Sequence, residues 1–531
     1  MTLMLKALFW GIYKEVAMSK IDFIKKLYNG KNCYSDHMSD DELNLLHITS
    51  NVEVLIKEML SKGKIIFLTG NPGDGKTFVI KAVEAAISEY DAYVEKDMNN
   101  ISGYDSIVKD ILQCYKDQRP AIIAVNEYPF MQLCRHIKNK APDIYKEIVD
   151  AKKSAITYSI SQPLTGRIAL IDLNERNLLD ADRNLLGELI DKFIALISED
   201  TQHNKCLEYN IKALSIPEVK KQVLSLIQLA ASECEHFAIR DILGALAFMF
   251  TACLTEEYEA QKYYSAIFSG SNQLLQAIQQ FDPVYLSSPS LDEQLWNGEV
   301  KDGWVIEVPS KWPNDPEFEE KDTNDAIKLF QKIKRQYYFE NVHGHELSAL
   351  QPSEIKKCTD MFNCFDSQKK KIKERLIRAI NKLFLPSSDD KKSLYIWTTH
   401  RYDMSIPAAV AVSSKSIDSS ELDIQMPRPA DWLNGLEYIP NHIIMTPKGK
   451  NEPVLCLDID FIRTLNAIEE GYPINLLAPQ YEQAASMFLQ QLDDNGFTEE
   501  NDDGEIIIAS RRKNYKKSVF IQDDQFGFEE E

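Results

Sequence analysis

Residues 64–77 read Lys-Ile-Ile-Phe-Leu-Thr-Gly-Asn-Pro-Gly-Asp-Gly-Lys-Thr. The apolar, β-branched run Ile65 to Leu68 suits a strand, and Phe78, Ile80, Ala82, Val83, Ala86 and Ile87 then recur at helical spacing. Between them stands Gly70-x-x-x-x-Gly75-Lys76-Thr77, the P-loop pattern in the strand-to-helix setting that its chemistry needs. Successive backbone N–H groups at the start of a helix wrap phosphate oxygens. Gly70, Gly73 and Gly75 let the backbone turn and approach the phosphates where a Cβ would clash. Asn71, Pro72, Asp74 and Phe78 complete the expected nucleotide-contacting set. Lys76 is expected to reach the β- and γ-phosphates of ATP, and the Thr77 hydroxyl to sit on Mg²⁺.

The chain has 531 residues, too many for one hydrophobic core, so several domains are expected. With 44% hydrophobic and 27% charged residues, it has the composition of a soluble globular protein. The formal net charge of -21 argues against a general nucleic-acid coat but leaves room for a local basic surface. Nine scattered cysteines without a C-x-x-C pair read as reduced thiols of a cytoplasmic protein. Cys358 and Cys364 with His343 and His345 are the one conceivable metal cluster, and their spacing is not that of a zinc finger. The apolar start, Met1 to Tyr13, is interrupted by Lys6 and is too short to span a bilayer, so no membrane association is expected. Met18-Ser19-Lys20 reads as an alternative start.

Ser50-Asn51-Val52-Glu53 has the form of a capping box, opening a helix with Val52, Leu55, Ile56 and Met59 on one face and Gly63 at its end. Helices and strands then alternate, as in a parallel sheet covered on both faces. The expected later strands are Tyr90 to Lys96, Ala121 to Val125 and Ile168 to Ile171. In open α/β sheets the ligand lies at the carboxyl ends of the strands. Two strand ends therefore compete to complete the phosphate site. If the 121–127 strand lies beside the P-loop strand, Glu127 is placed to polarise the attacking water, Asn126 takes the Mg²⁺ side, and Asn174 contacts the γ-phosphate. If the 168–172 strand is the neighbour, Asp172 holds Mg²⁺ through water. The first arrangement is preferred because its chain order resembles that of AAA+ ATPases.

Residues 216–282 are expected to be helical, with Val219, Val223, Leu226, Ile227 and Ala230 at helical spacing. His236 to Leu243 opens an apolar helix resembling an AAA+ lid, in which Arg240 would reach the γ-phosphate as a second sensor. Prolines and acidic clusters mark 283–325 as a loop-rich connector. A helical stretch follows, carrying Lys332, Lys334 and Arg335 and then Lys369-Lys370-Lys371-Ile372-Lys373, a basic run able to follow a DNA backbone. From about 391 short strands and turns take over, including a hairpin around Pro447 to Asn451. A last hairpin has Arg511, Arg512, Lys513, Lys516 and Lys517 at its tip.

The fold class expected is α/β: a P-loop NTPase parallel sheet sandwiched by helices, with a helical lid and a C-terminal α+β domain. The boundaries are 1–48 for an N-terminal helical extension, 49–215 for the NTPase core, 216–300 for the lid, 301–390 for the connector and basic helical region, and 391–531 for the last domain. Gly70 to Thr77, Ala124-Val125-Asn126-Glu127, Ile171 to Arg176 and Ile239 to Leu243 together resemble ATPases of bacterial defence systems, in particular the DptF-type ATPase of phosphorothioation-dependent DNA restriction. That resemblance covers about residues 50–296. It implies an ATP-driven subunit of a multi-protein anti-phage complex acting on DNA, with cutting left to a partner. AAA+ sites usually lie between subunits, so the resemblance also implies a homo-oligomer, with Arg176 or Arg183 as the arginine offered to a neighbour's nucleotide.

Overall fold

The computed structural model describes residues 19–530 except 29–37, 97, 99–102, 159–162, 180–183, 201–203, 232–235, 256–260, 320–322, 345–349, 401–409, 474–478, 502–504, 511–514 and 523–524. The chain divides into two compact units. One comprises Met1–Ala155, Leu164–Gln351 and Trp432–Ile439; the other comprises Ile156–Pro163, Pro352–Asp431 and Pro440–Glu531.

The first unit is built on a parallel sheet of four strands: β1 (Ile65–Thr69), β2 (Tyr93–Glu95), β3 (Ala121–Ala124) and β4 (Ile168–Asp172), in the order β2-β3-β1-β4. The strand leading into the glycine-rich loop is thus central. Both rival strands are its neighbours: Leu68 pairs with Ala124 on one side and with Ile171 on the other. The strand adjacency that each sequence alternative required is therefore present.

Strand periodicity explains why helices cover both faces. Side chains alternate across a strand, so Ile66, Leu68, Ile122, Ala124, Ala169 and Ile171 point to one face and Ile65, Phe67, Ala121, Ile123, Ile168 and Leu170 to the other. The first face packs on Val52, Leu55, Ile56 and Met59 of the Asn51–Ser61 helix and on Val79 and Ile80 of the Lys76–Ala82 helix. The second packs on helices Tyr104–Lys116, Glu127–Lys140 and Pro142–Ala155 through Val108, Ile111, Leu133, Ile137 and Ile148. All five β1 residues are buried, which is why that run shows no alternation in hydrophobicity. The weak second strand, expected over Tyr90 to Lys96, shrinks to Tyr93–Glu95 because Tyr90 ends the preceding helix.

A separate helical core in the same unit gathers helices Lys20–Tyr28, Leu185–Ser198, Lys205–Leu214, Pro217–Ala231, Ile239–Thr251 and Thr323–Glu340. The 283–325 stretch is less loop-like than its prolines suggest. Pro289 occupies the first turn of helix Pro289–Asn297, where a missing N–H costs nothing.

The second unit packs helices Phe365–Phe384, Ile459–Glu469 and Pro479–Asp494 with antiparallel strands around Leu376, Ile380, Leu457, Phe461 and Leu489. The hairpin around Pro447 to Asn451 forms between His442–Pro447 and Leu455–Asp458. The last hairpin pairs Ile506–Ser510 with Tyr515–Gln522, and residues 511–514, which include the expected Arg511, Arg512 and Lys513, lie outside the described residues. Among the described residues, no helix is long and apolar enough to cross a membrane.

Candidate functional site

The loop Gly70 to Gly75 leaves β1 at the carboxyl edge of the sheet and enters the Lys76–Ala82 helix, with Gly75 as its N-cap. Gly70, Gly73 and Gly75 have φ of +148°, +101° and +85°, a region that suits glycine and strains other residues. At Gly70 a Cβ would also come within 2.9 Å of Asp74 Oδ2. That carboxylate folds back over the loop and accepts the Asn71 N–H at 2.6 Å. The Lys76 ammonium turns back as well, donating to the carbonyls of Gly70 and Asn71, each at 2.8 Å. The first N–H groups of a helix have no carbonyl a turn earlier within the helix, which is why a helix start suits an anion.

A cavity of about 220 Å³ opens beside the loop. Pro72 to Val79 line it on one side, with Asn126 from the end of β3 and Arg176 from beyond β4. The remainder of its wall is largely apolar, formed by Met38, Leu43, Leu46, Leu178, Leu189 and Leu243. Thr77 and Phe78 are half-buried in this wall, and the Phe78 ring lies 5.6 Å from that of His47. The carboxylates on it, Glu53 and Asp74, are both engaged. Glu53 accepts from the Ser50 N–H at 3.2 Å and meets His47 Nε2 at 3.1 Å, and Asp74 faces His236 as well as Asn71.

The competing strand ends behave differently. Asn126 caps the Glu127–Lys140 helix and is half-buried in the cavity wall, whereas Glu127, the first residue of that helix, is exposed and does not line the cavity. Asp172 also stays off the wall: its Oδ1 accepts the Asn174 N–H at 3.1 Å and caps the short turn Leu173–Glu175. Asn174 reaches the loop, and its Oδ1 accepts the same Asn71 N–H that Asp74 receives, at 3.1 Å. Thr77 and Asn126 both line the cavity beside the loop. Among the described residues, no group of three or more His, Cys, Asp and Glu side chains could hold a metal ion by itself.

Arg240 sits in the first turn of helix Ile239–Thr251, beside the loop. Its N–H donates to the Gly73 carbonyl at 3.3 Å, and its guanidinium carbon is 3.3 Å from where a Cβ on Gly73 would lie. Its ion pair with Asp241 is long, 3.9 Å.

Two expectations need correction. Arg176 is not available to a neighbouring subunit: its side chain is 7% exposed, and Nε meets Glu437 Oε2 at 2.8 Å, the glutamate being 1% exposed. Glu437 also accepts the Asn51 N–H, and its carbonyl accepts that of Asn177. Arg183 lies outside the described residues. Much of the basic stretch 332–375, whose two ends belong to different units, is engaged within its own unit. Lys334 is buried, donating to the Leu286 carbonyl and pairing with Asp292. Arg335 grips Asp282, Lys369 pairs with Asp423, and Lys373 donates to the carbonyls of Ser419 and Leu422. Lys370 and Lys371 remain exposed.

Sequence reasoning missed three contributors. The Met38 to Leu46 wall had only ordinary amphipathic spacing to signal it. His236 was read as a helix opening, and Glu437 stands 261 positions from the arginine it holds. Comparison with family models, with curated proteins and with solved structures finds no match to this chain.

Proposed function

We propose that this chain is a P-loop ATPase that binds ATP with Mg²⁺ and hydrolyses it within a larger DNA-restriction complex. The observation that carries the reading is the Gly70–Thr77 loop. It follows the central strand of a parallel sheet, its glycines hold φ values other residues avoid, and its lysine and first helical turn border a cavity with an apolar far wall. The triphosphate would lie on the loop and the base against Met38, Leu43 and Leu189. Lys76 would leave two carbonyls for the β- and γ-phosphate oxygens, and Arg240 would approach the γ end. Thr77 and Asn126 would hold Mg²⁺, which when bound neutralises charge on the phosphates.

Glu127 is the proposed water-orienting group, one residue beyond the cavity-lining Asn126. Glu127→Gln is expected to keep ATP affinity and to lower phosphate release about a hundredfold, the lower range for a positioned acid–base group. Wild-type turnover in Glu127→Gln, together with arrest in Asp172→Ala, would move that role to the β4 strand end.

A second reading, a nucleotide-dependent switch with little hydrolysis, is favoured by one observation. Neither carboxylate on the cavity wall is poised to act on water, since both are held by neighbours. Steady-state phosphate release, measured with and without DNA and partner subunits, separates the readings. Sustained release that depends on Lys76 eliminates the switch. Homo-oligomerisation and contact with other defence-system subunits belong to the same proposal, with the exposed Lys370 and Lys371 among the cations offered to DNA.

A further inference from the structure

We infer that His236 is a positioning residue for this nucleotide site: its imidazole fastens the start of helix Ile239–Thr251 to the glycine-rich loop and thereby keeps Arg240 at the γ-phosphate end. The inference rests on the nucleotide reading above and deepens it.

Three contacts converge on the loop from one short segment. His236 Nε2 lies 2.8 Å from Asp74 Oδ1, the oxygen that Asn71 does not use. Arg240 N–H donates to the Gly73 carbonyl. Ile239 Cγ2 lies 3.3 Å from where a Cβ on Gly75 would be, so the helix start packs closely on the loop there. Of these contacts only the imidazole engages a buried charge: the Asp74 side chain is 2% exposed. A carboxylate so placed depends on its hydrogen bonds, because water cannot replace them. On the opposite side the loop is held by Asn174. The loop is thus gripped from the turn after β4 and from the helix start, and His236 is the side chain that closes the second grip.

The groups facing the imidazole are Asp74 from the loop, Asp172 from the end of β4, Glu175 from the turn after it, and Asp241 from the helix itself, which also carries Arg240. The hydrogen bond to Asp74 raises the His236 pKa above its ordinary value, with burial opposing, and the charges of Asp74, Asp172 and Asp241 add to the rise. A raised folded-state pKa means the charged form strengthens the grip below the ordinary histidine value, and that part is lost as pH rises through the raised value.

The test compares binding of ADP and of a slowly hydrolysed ATP analogue to the full-length wild type, His236→Ala, His236→Gln and Lys76→Ala, between pH 6 and 9. This readout does not need turnover. Because Arg240 would touch only the γ-phosphate, His236→Ala is expected to lose about tenfold of the preference for the ATP analogue, the worth of one hydrogen bond. ADP affinity should change less than about threefold, well under one such bond. His236→Gln, whose amide N–H can donate to Asp74, should keep the preference and remove its dependence on pH, whereas in wild type the preference falls as pH rises. An alanine variant with wild-type preference overturns the inference, as does a glutamine variant as impaired as alanine or one with an unchanged pH profile. If Lys76→Ala loses both nucleotides while the His236 variants behave as wild type, only the inference fails. If Lys76→Ala binds normally, the nucleotide reading itself fails.

Discussion

Lys76→Ala is expected to weaken ATP binding by about a hundredfold to a thousandfold. The ammonium now donates to the Gly70 and Asn71 carbonyls at 2.8 Å and would exchange them for phosphate oxygens. Hydrogen bonds between charged groups contribute about 1.5–3 kcal/mol each, and two of them give roughly 3–6 kcal/mol. The exchange also gives up two carbonyl contacts, which brings the net to about 3–4 kcal/mol, at 1.4 kcal/mol per factor of ten. Titration with a fluorescent ATP analogue, or calorimetry, measures it directly. A variant that binds within threefold of wild type would mean that the loop does not hold phosphate, whatever its sequence. Lys76 is half-buried at the loop, not in the core, so the variant should unfold at the same urea concentration as wild type.

Arg176→Ala is expected to do the reverse, damaging stability first. The change leaves the Glu437 carboxylate 1% exposed with no cation beside it, holding only the Asn51 N–H. Removing one member of a buried ion pair costs about 3–5 kcal/mol, because the remaining charge stays out of water. The same principle predicts that the double replacement Arg176→Met with Glu437→Leu costs far less than the single change, since no charge is then stranded. Urea unfolding followed by the fluorescence of the chain's six tryptophans checks both variants. Equal losses in the single and double variants would show that packing, and not the ion pair, sets the energy.

The Arg176–Glu437 pair matters for more than stability. Arg176 lines the cavity, while Trp432–Ile439 is drawn into the first unit from a stretch of sequence that otherwise belongs to the second. Leu433 and Leu436 bury themselves with Val52, Leu55 and Ile56, and Gly435 lies against Asn51. The helix that precedes β1 is thereby tied to a segment nearly four hundred residues later in the chain.

The sequence by itself determined the parts whose signal is local. A buried strand, a loop with three glycines at positive φ and the helices Lys76–Ala82 and Glu84–Glu89 follow one another within residues 65–89, so composition and period located that corner, though not the break at Val83. The capping box at Ser50 and the hairpin around Pro447 to Asn451 were legible for the same reason: hydrogen bonds between near neighbours dictate the residue types. Tertiary structure alone decided which strands flank β1, since both candidates are apolar runs ending in polar residues, and nothing in either run encodes adjacency. It also decided the fate of the charges. Arg176, Lys334 and Lys373 look in sequence like cations offered to a ligand, yet each is bound to a partner from a distant segment. A buried charge must find an opposite charge or a carbonyl wherever the fold brings one, and that pairing is set by packing over long sequence separations. His236 and Asp74, 162 positions apart, meet for the same reason.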